Sequence, residues 1–208
     1  MTTEQWRTGR DQAGLTQVEA ARALKVSQLY LSQLEKGLRA GSAGLSHKAA
    51  KLYKLPPTVL PVSQGVKATP DTVQKELGSL GYPGFEHVRS RAACNPAEAV
   101  LHAVLNRDLD TRLVEALPWV LGTYPDLRWD WLRDRAKLHN AQNRLGYLVY
   151  MARRTASANA AQALSKWEAE LEEARLAGEG TLCRDSMPER EREWVRTNRP
   201  ALPRIGTC

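Results

Sequence analysis

Two glutamines stand at the front of two short segments that follow each other closely near the N-terminus. In the stretch GLTQVEAARALKVSQLYLSQLEKG, residues 14–37, Gln17 opens the first segment and Gln28 the second, with only Lys25 and Val26 as the turn between them. A carboxamide carries a donor and an acceptor side by side, so it suits hydrogen bonding to a flat group with the complementary pair. The second segment is therefore a candidate for contact with a flat, anionic partner.

The excess positive charge lies in the same part of the chain. The 208-residue sequence has a net charge of +7, and residues 1–60 hold nine Lys/Arg against four Asp/Glu. Residues 61–175 hold fifteen against fourteen, and residues 176–208 hold six against five. A basic segment predicts a polyanionic partner, and nucleic acid is the first candidate.

The elements that must position the two glutamines are predicted to be short helices. A polar helix is expected over residues 4–12. Thr16 and Glu19, three residues apart, form a capping box for a second helix, and Ser27 caps a third helix that ends near Gly37. These signals predict two capped helices joined by a very short turn.

A fourth helix is predicted over residues 46–53, followed by a short helical turn in LPPTVLP, residues 55–61. This makes about five short helices in the first 60 residues. The apolar side chains predicted to fill their small core are Leu15, Val18, Leu24, Val26, Leu31 and Leu34.

Residues 7–60 resemble the lambda-repressor-like (XRE/Cro/cI-type) helix-turn-helix family. The resemblance is carried by R-x-x-R-D-x-A-G-L-T-Q-V-E-A-A-R-A-L-K-V-S-Q-x-Y-L-S-Q-L-E-K-G, from Arg7 to Gly37, and by AAKLYKLPPTVL, residues 49–60. It implies that an ion pair between Arg10 and Glu35 ties the first helix to the third.

The resemblance also implies that the third helix lies in the major groove of double-stranded DNA, with its N-terminal residues facing the base edges. Gln28 suits a bidentate pair with adenine, and Leu29 suits contact with a thymine methyl. The candidate base-contacting residues are Gln28, Leu29, Ser32 and Gln33. As alternatives, the glutamines could be ordinary solvated residues and Leu29 could pack locally.

Phosphate contacts are expected from the residues around these helices. Gln17 begins a helix whose free backbone N–H groups suit a phosphate. The candidate phosphate-contacting residues are Gln17, Lys25, Lys36 and Arg39. The three cations could also be general surface charges.

The rest of the chain is predicted to be α-helical, so the fold class is all-α. We expect a DNA-binding domain over residues 1–61, a linker over 62–71, an α-helical dimerisation or partner-binding domain over 72–178, and a charged, proline-containing tail over 179–208. The tail could be disordered or dock through Trp194, Val195 and Ile205.

Helix boundaries in the second domain follow from caps and breakers. Asp71, Asn95 and Asp126 are predicted N-caps, and Pro96 stands at a first helical position. Pro118 should kink or divide its helix. Residues 127–155 predict one long helix or two helices broken near residues 139–143, and the last helix is expected to end at Gly178.

No set of residues in the second domain predicts catalysis. His87, Cys94 and His102 are metal-ligand types, but their spacing matches no metal site, so core or surface roles are favoured. No phosphate-binding glycine loop or nucleophile motif occurs. We therefore expect no enzyme activity, no metal and no cofactor.

Together these patterns predict a sequence-specific DNA-binding transcriptional regulator, an autoregulatory repressor that binds a palindromic operator as a homodimer. The alternative is an antitoxin that represses its own promoter and neutralises a partner toxin through its C-terminal helical region. A third hypothesis is a protein-interaction scaffold. A neighbouring gene whose product is lethal alone and harmless beside this chain would favour the antitoxin. The lack of a signal peptide or long apolar run predicts a cytoplasmic protein without membrane contact.

Overall fold

Helices make up every regular element that the structure describes. The computed structural model describes residues 1–63, 68–88 and 93–177, together with residues 182, 188–190, 193 and 197. No β-strand occurs among these residues, and the predicted all-α class is confirmed.

The first 61 residues, here called the N-terminal unit, form four α-helices and a 3₁₀ turn. These are α1 (Thr3–Gln12), α2 (Gln17–Leu24), α3 (Gln28–Glu35), α4 (Ala43–Leu52) and the turn Pro57–Val59. The predicted capping box is present, because Thr16 accepts from the Glu19 backbone N–H while Glu19 accepts from the Thr16 backbone N–H. Ser27 caps α3 by accepting from the Tyr30 N–H at 3.2 Å. These caps fix the short turn between α2 and α3.

The core of the N-terminal unit differs from the prediction at its edges. Leu24, Leu31 and Leu34 are buried as expected, but Val18 is 54% exposed. The buried arc of α2 is centred on Ala20, Ala21 and Leu24, and Val18 lies outside that arc.

Two aromatic side chains that were not among the predicted core residues are buried in this core. Trp6 from α1 is 2% exposed and packs in the same apolar cluster as Tyr53.

Helix α4 begins three residues earlier than predicted, because Ser42 caps it by accepting from the Leu45 N–H.

The following helices pack around a second, larger apolar cluster. They are α5 (Pro70–Ser79), a 3₁₀ stretch (Pro83–Val88), α6 (Pro96–Leu105), α7 (Thr111–Thr123), α8 (Trp129–Leu138), α9 (Gln142–Thr155) and α10 (Ala158–Glu173). Helix α9 lies against both α7 and α10, and the buried side chains include Leu101, Leu117 and Leu145. We call α5 to α10 the C-terminal helices.

Two of the three predicted caps in this part are wrong. Asn95 does cap α6, with Pro96 in the first turn. Thr69, not Asp71, caps α5, because its hydroxyl accepts from the Thr72 N–H. Asp126 caps no helix and instead accepts a hydrogen bond from Thr58 Oγ1 at 2.9 Å.

The predicted breaks were only partly right. Pro118 lies inside α7 without dividing it, since α7 continues to Thr123. The stretch after residue 127 contains two helices rather than one, and Asn140 between them has a φ of 53°. Helix α10 ends at Glu173, not at Gly178.

Hydrogen bonds join the N-terminal unit to the C-terminal helices. The Asn95 side chain is buried, and its Nδ2 donates to the carbonyl oxygens of Thr58 at 3.1 Å and Leu60 at 2.6 Å. The predicted domain boundaries stay predictions, because residues 64–67 of the linker lie outside the described residues. The anchors predicted in the tail, Trp194, Val195 and Ile205, also lie outside them.

Among the described residues, no helix is long and apolar enough to cross a bilayer. Within the same residues, no cluster of three or more His, Cys, Asp or Glu is placed to hold a metal ion.

Candidate nucleic-acid interface

A buried ion pair ties the first helix of the N-terminal unit to the third. Arg10 Nε donates to Glu35 Oε1 at 2.6 Å, and Arg10 Nη2 donates to Glu35 Oε2 at 3.1 Å. Arg10 Nη1 also donates to the Leu15 carbonyl oxygen at 2.9 Å. Hydrogen bonding to Glu35 raises the pKa of Arg10. The two residues that the family resemblance pairs are therefore in direct bidentate contact.

This ion pair continues through side-chain amides to the surface. Gln17 Nε2 donates to Glu35 Oε2 at 2.8 Å, and Gln28 Nε2 donates to Gln17 Oε1 over a long 3.4 Å. A carboxylate only accepts, so Glu35 fixes the Gln17 amide with its nitrogen inward and its oxygen outward. That oxygen attracts the Gln28 nitrogen, which leaves Gln28 Oε1 and one N–H directed to other partners.

The other predicted base-contacting residues lie along α3 with different exposures. Leu29 is 69% exposed, an unusual position for a large apolar side chain. Ser32 and Gln33 are half-buried. A shallow, open depression beside them is lined by Val26, Ser27, Leu29, Tyr30, Gln33 and Arg39. The local-packing alternative for Leu29 is at odds with its exposure.

Of the predicted phosphate-contacting cations, Arg39 lines this depression, while Lys25 follows α2 in the turn and Lys36 follows α3. Lys25, Lys36 and Arg39 are exposed. The Arg39 guanidinium carbon lies 5.9 Å from the Tyr30 ring centroid, a cation–π distance that holds it beside α3. Within the described part of the chain, none of the three cations has a carboxylate within 4.0 Å. Their charge is therefore available to an external anion.

Comparison with known families settles what this unit is. Residues 4–61 match the family described as "Helix-turn-helix domain". Residues 4–61 are a helix-turn-helix domain. A domain of this type indicates a DNA-binding regulator. The comparisons with curated proteins and with solved structures give no match.

Sequence reasoning missed the link from Glu35 to Gln17 within the helix-turn-helix domain. The two residues are eighteen positions apart on different helices, so no local spacing connects them. It also missed the Tyr30–Arg39 contact. An aromatic side chain at the edge of the third helix, followed by an arginine after the helix, was the only available signal.

The three metal-ligand types of the second part are not assembled into one site. The Cys94 thiol lies 3.5 Å from Ser79 Oγ, and burial raises its pKa to about 12. His102 Nδ1 lies 2.8 Å from a carboxylate oxygen of Glu76, while His87 is exposed. Cys94 and His102 therefore have structural partners on α5.

Proposed function

We propose that the chain is a sequence-specific transcriptional repressor that binds a palindromic operator as a homodimer through α3, and that it has no enzyme activity. The single observation that carries this proposal is the arrangement of α3. Its solvent face presents Gln28 and Leu29, exposed cations precede and follow it in the chain, and its other face is anchored by buried leucines and Glu35.

The orientation of the Gln28 carboxamide supports adenine as the base that Gln28 contacts. Adenine presents an N6 donor and an N7 acceptor in the major groove. Gln28 keeps Oε1 and one N–H once its other N–H faces Gln17. The remaining pair matches adenine without any change in the amide orientation.

A dimer is proposed because a single α3 covers only one half-site. Two copies, separated by about 34 Å along the DNA, would contact a palindrome whose half-sites are one helical turn apart. The C-terminal helices are the proposed source of the contact between copies.

The test starts from operator sequences selected from random duplexes with the full chain. Gln28→Ala should lose about 1–3 kcal/mol of discrimination at one base pair, because a bidentate contact is removed. The matched control is Gln162→Ala, an exposed glutamine on α10. Loss of preference in both variants, or in neither, contradicts the assignment of α3.

A second pair of variants separates phosphate contacts from base contacts. Lys36→Ala should weaken binding to all sequences and reduce the slope of log K against log salt by about one. Lys137→Ala, an exposed lysine on α8, should leave the slope unchanged. Equal slopes for wild type and Lys36→Ala would remove Lys36 from the interface.

Gln17→Met decides which role Gln17 has. If Gln17 positions Gln28, the variant should lose preference at the base pair that Gln28 contacts and keep its non-specific affinity. If Gln17 mainly contacts phosphate, the variant should weaken binding to all sequences by a similar factor.

A further inference from the structure

His47 on α4 contacts a backbone carbonyl oxygen with each of its ring nitrogens. Nδ1 lies 2.8 Å from the Ala43 oxygen one turn earlier on α4, and Nε2 lies 2.8 Å from the Ala93 oxygen just before α6. A carbonyl oxygen only accepts hydrogen bonds, and a neutral imidazole has a single N–H. Only the imidazolium form can donate to both oxygens at once.

We propose that His47 is a proton-dependent link between the helix-turn-helix domain and the C-terminal helices. In the protonated state it donates to both carbonyls and holds α4 against residues 93–95. In the neutral state one ring nitrogen presents a lone pair to a carbonyl oxygen, and the contact between α4 and residue 93 loosens. The inference goes beyond the proposed function and does not depend on DNA binding.

The other hydrogen bonds between the two parts do not change in the same pH range. Asn95 donates to two carbonyls through its amide, and Thr58 donates to Asp126 through its hydroxyl, and neither donor group ionises near neutral pH. Histidine side chains titrate roughly between pH 5 and 8. Loosening is therefore confined to the α4 side, while residues 58–60 stay attached.

The charged and titratable groups around the link leave the imidazole as the group that changes. Lys48 and Lys51, exposed on α4, carry the same charge as a protonated His47. Cys94, next to Ala93, is half-buried with its thiol 3.5 Å from Ser79 Oγ, and Glu98 on α6 bonds to Ser63. Among the described residues, no carboxylate lies within 4.0 Å of His47, so two carbonyl oxygens, and no ion pair, hold the proton.

Two substitutions in the full chain separate the charged from the neutral state. His47→Gln has donors on one nitrogen only and never charges, whereas His47→Arg has several donors and is always charged. The matched control is His139→Gln, an exposed histidine after α8. His102 is paired with Glu76 elsewhere in the fold, so each variant is compared with wild type at the same pH.

Amide hydrogen exchange of peptides covering residues 43–52 and 93–96 is the measurement. At about pH 5.5, His47→Gln should exchange about three- to tenfold faster than wild type, as loss of one or two hydrogen bonds predicts. At about pH 8 the two should exchange alike, while His47→Arg stays slow. Identical exchange in wild type and His47→Gln at both pH values would overturn the proposal. Exchange in His139→Gln that is as fast as in His47→Gln at about pH 5.5 would also overturn it.

A measurement on the wild type keeps the proposal testable if His47→Arg does not fold. At about pH 5.5, NMR should detect both ring N–H protons of His47 exchanging with water more slowly than those of His139. Equal exchange at the two histidines would show that the carbonyl contacts do not form. Failure of DNA binding would remove the proposed function and leave these results unaffected.

Discussion

An arginine inside the helix-turn-helix domain and another on the C-terminal helices each join two helices through a carboxylate. Arg10 and Glu35 have side chains that are 11% and 4% exposed. Arg133 joins α8 to α10 through Glu170 at 2.8 Å and also contacts Asp130 and Asp134, all of them partly or largely exposed. The charged groups are of the same kinds, but the Arg10–Glu35 pair is buried, whereas the carboxylates around Arg133 are partly or largely in contact with water.

This difference in exposure separates two uses of an ion pair. A buried pair that loses one partner leaves an uncompensated charge without water, whereas an exposed pair is screened and replaced by solvent. The buried network also continues through Gln17 to Gln28 on the surface. The exposed network ends in carboxylates that face water, so it only connects α8 with α10.

The largest expected effect comes from breaking the buried pair. Glu35→Ala should lower the free energy of unfolding by up to about 3–5 kcal/mol, because the buried Arg10 loses its bidentate partner and keeps only the largely exposed Asp11 and the Leu15 carbonyl oxygen. The measurement is urea unfolding followed by circular dichroism. The control is Glu170→Ala, the same substitution in the exposed network, and a similar loss in both variants would contradict the comparison.

A double variant sharpens the same point. Arg10→Met combined with Glu35→Met removes both charges and should recover most of the lost stability. It also removes the anchor of Gln17, so base preference should stay impaired while the fold is restored. If stability and base preference both recover, Glu35 does not position the amides of Gln17 and Gln28.

The second-largest effect is expected where the two regions meet. Asn95→Ala removes the α6 cap, which costs about 1 kcal/mol. It also leaves the buried carbonyls of Thr58 and Leu60 without their donor, which costs about 1–3 kcal/mol more. Asp110→Ala, whose side chain caps α7 and makes no contact with the N-terminal unit in the described residues, should show only the first cost. Equal losses of unfolding free energy in the two variants would mean that Asn95 does not stabilise the contact between the N-terminal unit and the C-terminal helices.

The sequence predicted what local spacing encodes. The capping box of Thr16 and Glu19 and the cap at Asn95 depend on residues two or three positions apart, and each was found where predicted. The exposure of Val18 could not be predicted, because the way α3 and α4 pack against α2 decides which arc of α2 is covered.

The contacts that position the candidate site and that join the two parts of the molecule are between distant positions. Asn95 and Thr58 are separated by 37 positions and Gln17 and Glu35 by 18, so periodicity within one helix carries no signal for either pair. The α5 and α8 caps failed for a related reason. An acidic residue before a helix predicts a cap, but Asp126 finds its hydrogen bond in Thr58, far along the chain.

A smaller effect is expected from the exposed network. Arg133→Met should cost less than about 1 kcal/mol, because exposed pairs contribute little, and the difference from wild type should shrink at high salt. Unfolding at low and high NaCl measures it. A loss that is large and unchanged by salt would mean that Arg133 acts through its cation–π contact with Trp167, whose ring centroid lies 6.0 Å away.

The smallest expected effect tests a titratable cap at the edge of the helix-turn-helix domain. Hydrogen bonds from the Thr16 hydroxyl and backbone N–H lower the pKa of Glu19 below its ordinary value of 4.5, with a further contribution from Arg22. A lowered folded-state pKa means that this stabilisation is present above the ordinary value and is lost as the pH falls through the folded-state value.

Glu19→Gln keeps an acceptor for the Thr16 N–H but cannot titrate. The melting temperature of wild type should therefore exceed that of the variant at neutral pH, and the gap should close in acid. Glu173→Gln, at the end of α10, removes a carboxylate that makes no capping contact at a helix start and serves as the control. If the difference in melting temperature is the same at both pH values, the neutral carboxyl caps α2 as well as the carboxylate does. The charge of Glu19 would then contribute nothing to the stability of this helix start.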